Sequence, residues 1–379
     1  MGGPILFEWQ EENRMMHAAL VVFTLVAQGT SIGQTPLTDL GAGTYQGYTG
    51  GLYPGGANTR PAAHDAAGLA IAAQVMPVDA AGNPDLVNGR IGLASLGLSN
   101  TTLEYQQFMM LAGADPEMSA RVLMADGAIG ATPAQSWADP LNPCWTTFAN
   151  RLTNAGMSPA QLQVVWLKLT SPAASYPATF PAGAQQVQAW IRQTVLNLKA
   201  AYPSVRIVYF SSRIYAGYAT TMLNPEMQAF ENGFSVKWLI EAQINGDATL
   251  AYGGVNPPAP WMAWGPYLWA DGLGADNVAG GVPGRSDGLE WALADFSAAD
   301  GTHPSAAGSV KVAQMLLDFL KADTVSQQWF LANPPPVPAP VPVPGDSSSG
   351  KKKKCGLIGM EFVVAAIIAS AVRVARSSR

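Results

Sequence analysis

Three histidines occur in the 379-residue chain, and one of them stands where acid–base chemistry is possible. His17 falls in an apolar N-terminal run and His64 in a Gly/Pro-rich stretch. His303 belongs to Asp300-Gly301-Thr302-His303-Pro304-Ser305, just ahead of a helical pattern. A carboxylate three residues before a histidine on a turn reaches the ring Nδ1, fixing the tautomer and freeing Nε2 as a base. Such a base needs a nucleophile. Acyl transfer asks for a hydroxyl at the end of a strand, where the first amides of a helix can also hold an oxyanion. Ser99 is placed that way, at the end of the apolar run 91–98. The competing reading is a helix N-cap, for which serine is favoured on its own account.

Bringing Ser99, Asp300 and His303 together takes strands that feed helices. Strand-like runs at 91–98, 163–169 and 206–210 are separated by helical patterns such as 184–200. A last helix at 306–321 carries apolar residues at Val310, Val312, Ala313, Leu316, Leu317 and Leu320. Strands alternating with helices of this length predict a parallel sheet covered on both faces. The expected fold is therefore α/β, a three-layer α/β/α sandwich with a flavodoxin-like sheet and its site at the carboxyl ends of the strands.

The order of these features resembles the SGNH (GDSL) hydrolase family of serine esterases, over about residues 88–322. The first block is Gly97-Leu98-Ser99-Asn100, with Leu98 where the family has Asp. The second is Ala128-Ile129-Gly130-Ala131-Thr132, and the last is Asp300 to His303. The resemblance implies a Ser99–His303–Asp300 triad and an oxyanion hole that includes the amides of Ser99 and Gly130. The family's third block ends in Gly-x-Asn, whereas this chain reads Trp166-Leu167-Lys168-Leu169-Thr170-Ser171, with Thr170 at the Asn position. Losing a preorganised amide donor costs roughly 2.7 to 4 kcal/mol of transition-state stabilisation. Thr170, or else Asn100, is expected to take its place. An α/β-hydrolase would need Gly-x-Ser-x-Gly, but residue 101 is Thr. Glycosidase chemistry would need two facing carboxylates; Asp271, Asp276, Asp287 and Glu290 read instead as solvated loop acids.

Residues 211–296 hold Trp238, Trp261, Trp264, Trp269 and Trp291 among prolines and glycines. This is expected to be a long aromatic insertion walling the site, because structureless loops in compact domains are usually functional. Trp261, Trp264 and Trp269 are the expected substrate-binding residues, stacking on sugar rings.

At 12% charged residues and 48% hydrophobic, composition fits a packed globular body rather than a disordered chain. Residues 351–379 hold seven Lys/Arg and one Glu, so the remainder has 14 basic and 25 acidic residues, a net charge of −11. An acidic body repels phosphate backbones, which excludes nucleic acid as a partner. Cys144 and Cys355 lie in regions of different character and are not expected to pair; no metal or cofactor is implied.

Residues 1–31 read as a leader and secretory signal, with Arg14, the apolar run 18–27 and small residues to Ser31, translation being expected to start at Met15 or Met16. A buried N-terminal helix is the alternative. A Gly/Pro-rich segment, 32–87, precedes the catalytic domain, 88–330. The linker, 331–350, includes seven prolines in 11 residues, a polyproline spacer of roughly 34 Å. The tail, 351–379, with Cys355, an apolar run and three arginines, resembles bacterial C-terminal sorting tags; a permanent membrane anchor is the alternative. Two functions are carried: an exported serine esterase acting on a small-molecule or glycan ester, with acetylated carbohydrate or a lipid ester as its substrate, and a surface-anchored glycan-binding protein on a degenerate SGNH scaffold.

Overall fold

The computed structural model describes residues 34–175, 179–271 and 284–336. The expected leader and signal, the tail, most of the polyproline run, and Asp276 lie outside the described residues.

The chain enters through a helical turn and a short hairpin, then forms α1 (Ala62–Ala72) and β1 (Ile91–Gly97). There follow α2 (Ser99–Ala114), β2 (Val122–Asp126), α3 (Ala134–Ala138), α4 (Cys144–Asn154) and β3 (Leu162–Lys168). Next come α5 (Ala182–Ala201), β4 (Ile207–Phe210), α6 (Gln228–Ile244), β5 (Trp261–Trp264), α7 (Ala306–Ala322) and α8 (Thr324–Phe330). The five strands make one parallel sheet in the order β2-β1-β3-β4-β5. Helix α2 packs on α7 in one layer, and α5 packs on α3 and α6 in the other. The result is an α/β fold of three layers. Every residue of β1, β3, β4 and β5 is buried, as expected for parallel strands covered on both faces; β2, at one edge, is partly exposed.

The connections after β1 and β3 leave in opposite directions across the sheet, so a crevice opens at the carboxyl ends of these two central strands. Ser99 and Thr170 each lie two residues beyond those ends.

Two sequence expectations need correction. Segment 211–296 is not a structureless insertion, since it supplies the 17-residue α6 and the sheet's fifth strand. Four residues, Trp261 to Trp264, flanked by Pro260 and Gly265, were too short to read as a strand. The Gly/Pro-rich segment is not a separate prelude either. Leu37, Leu52, Tyr53 and His64 are buried in the same core as the sheet.

That segment closes the sheet's free edge. The Nε2 of His64 donates to the Met262 carbonyl at 2.8 Å, Trp264 N donates to the Tyr53 hydroxyl at 3.2 Å, and Trp264 Nε1 donates to Leu52 O at 2.7 Å. Unpaired edge groups otherwise invite pairing with another chain. The His64 ring stacks on Trp261 with centroids 5.0 Å apart, and burial lowers its pKa, so it serves as a neutral structural group. Gly68 of α1 lies so close that an added Cβ would stand 2.4 Å from the Trp261 ring. Arg60 pairs with both Asp65, at 2.7 Å, and Asp323, at 2.5 Å, tying the segment to α8.

Candidate active site

Ser99 is the first residue of α2, with Leu98 in the cap position, so its hydroxyl is not spent on capping. Instead Ser99 Oγ lies 2.7 Å from His303 Nε2. Two bonds hold the turn beneath it. Thr101 Oγ1 donates to Lys168 O at 3.0 Å, fixing α2 to β3, and Asn100 Nδ2 donates to Thr302 O at 3.0 Å, fixing it to the histidine loop. Asn100, which also lines the cleft, thereby ties the start of α2 to the loop that carries His303. Gly97 permits the approach, since a Cβ there would meet Thr101 Oγ1 at 2.2 Å and Lys168 O at 2.5 Å.

Asp300 and His303 occupy a turn that Gly301 makes possible. Its φ is +59°, and an added Cβ would come within 1.8 Å of Tyr218 O. One Asp300 oxygen, Oδ1, accepts the backbone N–H groups of Thr302 at 2.9 Å and His303 at 3.0 Å; the other, Oδ2, lies 2.5 Å from His303 Nδ1. Burial raises the Asp300 pKa, but these bonds outweigh it and hold the carboxyl below its usual range. An ionised Asp300 requires the proton on Nδ1. Nε2 is then the acceptor for the Ser99 hydroxyl. Beyond the turn, Ser305 caps α7 by accepting Gly308 N at 3.2 Å and donates to Ala294 O at 2.7 Å, so the loop is held from both sides.

Across from Ser99 lies the loop after β2. Ile129 N donates to Gly97 O at 3.0 Å and Thr102 Oγ1 to Ala128 O at 2.8 Å, which sets Gly130 against Ser99. A Cβ built on Gly130 would be 3.8 Å from the Ser99 Cβ. Ala131 has φ +55°, a left-handed conformation that costs about 1 to 3 kcal/mol in a non-glycine residue and tends to persist where neighbours enforce it. Among the described residues, no protein acceptor takes the backbone N–H of Ser99 or Gly130. Both amides are free for a developing oxyanion.

Thr170 is buried on the same wall, and its hydroxyl accepts from Asn224 Nδ2 at 3.2 Å. Asn224 also donates to Ser171 O at 3.3 Å and accepts from Arg213 Nε at 2.9 Å. With its lone pair taken up by Asn224, the Thr170 O–H has its proton left to donate. Ser99, Gly130, Thr170, Asn224, Arg213 and His303 line one cavity of about 490 Å³, along with Leu98, Ala131, Pro133, Pro172 and Leu223. Asn224 and Arg213 were not foreseen from sequence. Asn224 meets Thr170 across 54 residues, from a stretch without periodicity.

Below this cleft, Lys168 Nζ forms an ion pair with Glu104 Oε1, and both side chains are inaccessible to solvent. Burial is the largest influence on each, raising the pKa of Glu104 and lowering that of Lys168.

The three tryptophans assigned to substrate lie elsewhere. Trp261 and Trp264 belong to β5, beneath the N-terminal segment, and Trp269 is fully buried against Phe230. None lines the cleft. Trp269 Nε1 donates to Glu226 Oε1 at 2.7 Å, and Ala216 N donates to its Oε2 at 2.6 Å. Among the described residues, the acids of this region form no facing pair in the cleft: Asp271 is buried, and Asp287 pairs with Arg285. Among the described residues, no group of three His, Cys, Asp or Glu side chains is arranged to hold a metal ion.

Glu226 carries a pH dependence. Burial lifts its pKa from 4.5 to about 7, against smaller lowering by Trp269, Ala216 and Arg213. A raised folded-state pKa means that the folded chain holds this proton more tightly. The stabilisation is complete below about pH 4.5, declines as pH rises, and is gone above about pH 7. The span corresponds to about 3 kcal/mol. Urea unfolding at pH 5 and pH 8 is expected to show a larger loss in the wild type than in Glu226→Gln, by roughly that amount; parallel losses would place the titration elsewhere.

No known family model matches the chain, and no curated protein matches it. Among solved structures it is similar to protein YxiM of Bacillus subtilis, at 12% identity and a TM-score of 0.34, over 61% of this chain. It spans 56% of that chain's length.

Proposed function

We propose that this chain is a serine hydrolase of the SGNH kind, cleaving small esters through an acyl-enzyme. The observation that carries the reading is the line from Ser99 Oγ to His303 Nε2, 2.7 Å, and from His303 Nδ1 to Asp300 Oδ2, 2.5 Å. In the first step Ser99 Oγ bonds to the ester carbonyl carbon while its proton passes to His303 Nε2, and Asp300 stabilises the imidazolium. The carbonyl oxygen becomes an oxyanion against the amides of Ser99 and Gly130 and the Thr170 hydroxyl. His303 then protonates the departing alcohol. Water, deprotonated by the same nitrogen, cleaves the acyl-enzyme, releasing the acid and returning the proton to Ser99.

The order of the site along the chain also supports the SGNH reading: Ser99 after the first sheet strand, Gly130 after the second, Thr170 after the third, and Asp300 and His303 ahead of the last long helix. A cleft of about 490 Å³ with Leu98, Ala131, Pro133, Pro172 and Leu223 in its wall favours a short acyl group over a long aliphatic chain. The glycan preference loses its sequence argument with the three tryptophans in the core. The apolar run 18–27 and the basic tail support an exported, surface-tethered enzyme.

The test is turnover of 4-nitrophenyl acetate and butyrate together with covalent labelling by an organophosphonate. The label is expected on Ser99, and Ser99→Ala is expected to fold normally without taking it. A wild-type protein that neither turns over these esters nor takes the label would sink the reading. Thr170→Val should lower kcat by roughly 10²-fold with little change in KM, since it removes a donor used mainly in the transition state. An unchanged kcat would assign the third donor elsewhere.

A further inference from the structure

Arg213 follows β4 by three residues and reaches the cleft wall with its side chain buried. Its Nε is fixed on Asn224 Oδ1, but Nη1 is buried without a hydrogen-bond partner. Among the described residues, no carboxylate forms an ion pair with it; Glu104 and Glu226 influence it only through space. A guanidinium taken out of water without a counter-ion is costly, and an orphaned buried N–H adds to that cost. Such a group is retained where something else completes it. Among the described residues lining the cleft, Arg213 and His303 are the ionisable side chains.

We propose that Arg213 is the anion-recognising group of this cleft, and that the preferred esters carry a carboxylate within its reach. The inference rests on the hydrolase reading and narrows it to a substrate class. A single planar guanidinium, with no second arginine or lysine among the described residues of the wall, suits a carboxylate monoanion better than a phosphate dianion. Lys168, a buried cation close enough to feel Arg213, is already engaged by Glu104. The carboxylate belongs either to the acyl half, as in half-esters of dicarboxylic acids, or to the alcohol half, as in acylated hydroxy acids.

Two substrate pairs separate these sources: 4-nitrophenyl hydrogen succinate against its neutral isostere 4-nitrophenyl 4-methylpentanoate, and 3-carboxyphenyl acetate against phenyl acetate. In the full chain, one anionic member is expected to exceed its neutral partner in kcat/KM by roughly tenfold or more, the range of a charge-assisted bond. Arg213→Met should collapse that ratio and Arg213→Lys restore part of it. Binding without turnover gives a second readout. Monomethyl succinate should raise the melting temperature of Ser99→Ala but not of Ser99→Ala/Arg213→Met. No anionic preference in the wild type, a ratio that survives Arg213→Met, or equal losses on charged and neutral esters would each overturn the proposal; the last would make Arg213 an oxyanion donor. If monomethyl succinate binds through Arg213 while no ester is hydrolysed, the anion site stands and the esterase reading falls.

Discussion

Asp300→Asn is expected to leave the chain folded and to lower kcat by about 10⁴-fold. The substitution keeps an oxygen for the Thr302 and His303 amides, which already meet at Oδ1, so the turn loses none of its backbone bonds. What changes is the atom facing His303 Nδ1. A side-chain NH₂ there can only donate, so Nδ1 must accept and the ring proton moves to Nε2. That nitrogen then has no lone pair for the Ser99 hydroxyl. Steady-state kinetics on 4-nitrophenyl acetate, beside a thermal melt, would measure both halves. A loss below tenfold would mean that His303 does not depend on Asp300 for its tautomer.

The second large effect lies under the site. Lys168→Met should destabilise the fold by about 3 to 5 kcal/mol, because it leaves the Glu104 carboxyl buried with neither oxygen paired; Oε2 has no partner even in the wild type. The double variant Glu104→Leu/Lys168→Met should recover most of that loss, since replacing both charges by apolar groups removes the desolvation cost along with the attraction. Denaturant unfolding of the two single variants and the double variant closes a thermodynamic cycle. A single variant as stable as the wild type would show that the pair is not charged in the folded protein.

Much of this site could be read from residue order. The runs that became β1, β3 and β4 are continuous apolar stretches, as doubly covered strands must be, and Asp300 and His303 lie three residues apart on one turn, so their geometry is local. Thr170 could be placed because it follows a legible strand. The tryptophans misled for a physical reason: a large aromatic residue in Gly/Pro-rich sequence has the same composition whether it lines a loop or fills a core. Only its neighbours decide, and for Trp261 and Trp264 those neighbours are His64, Leu52 and Tyr53, about two hundred positions away. Asn224 and Arg213 were hidden likewise, since a polar side chain on an irregular segment has no period to reveal what it faces.

The closure of the β5 edge has a consequence for how the chain reaches its native state. Leu52 bonds to Trp264 across 212 positions, and His64 bonds to Met262 across 198. Contacts of such sequence separation raise the contact order, because chain closure must be met before the contacts stabilise anything. Leu52 and His64 therefore cannot settle until residues 262 and 264 have been made. Nor can the body be shortened to start at residue 88: such a fragment would display the flank of Trp261 to Trp264 to any neighbouring copy, a template for aggregation in place of an intramolecular seal.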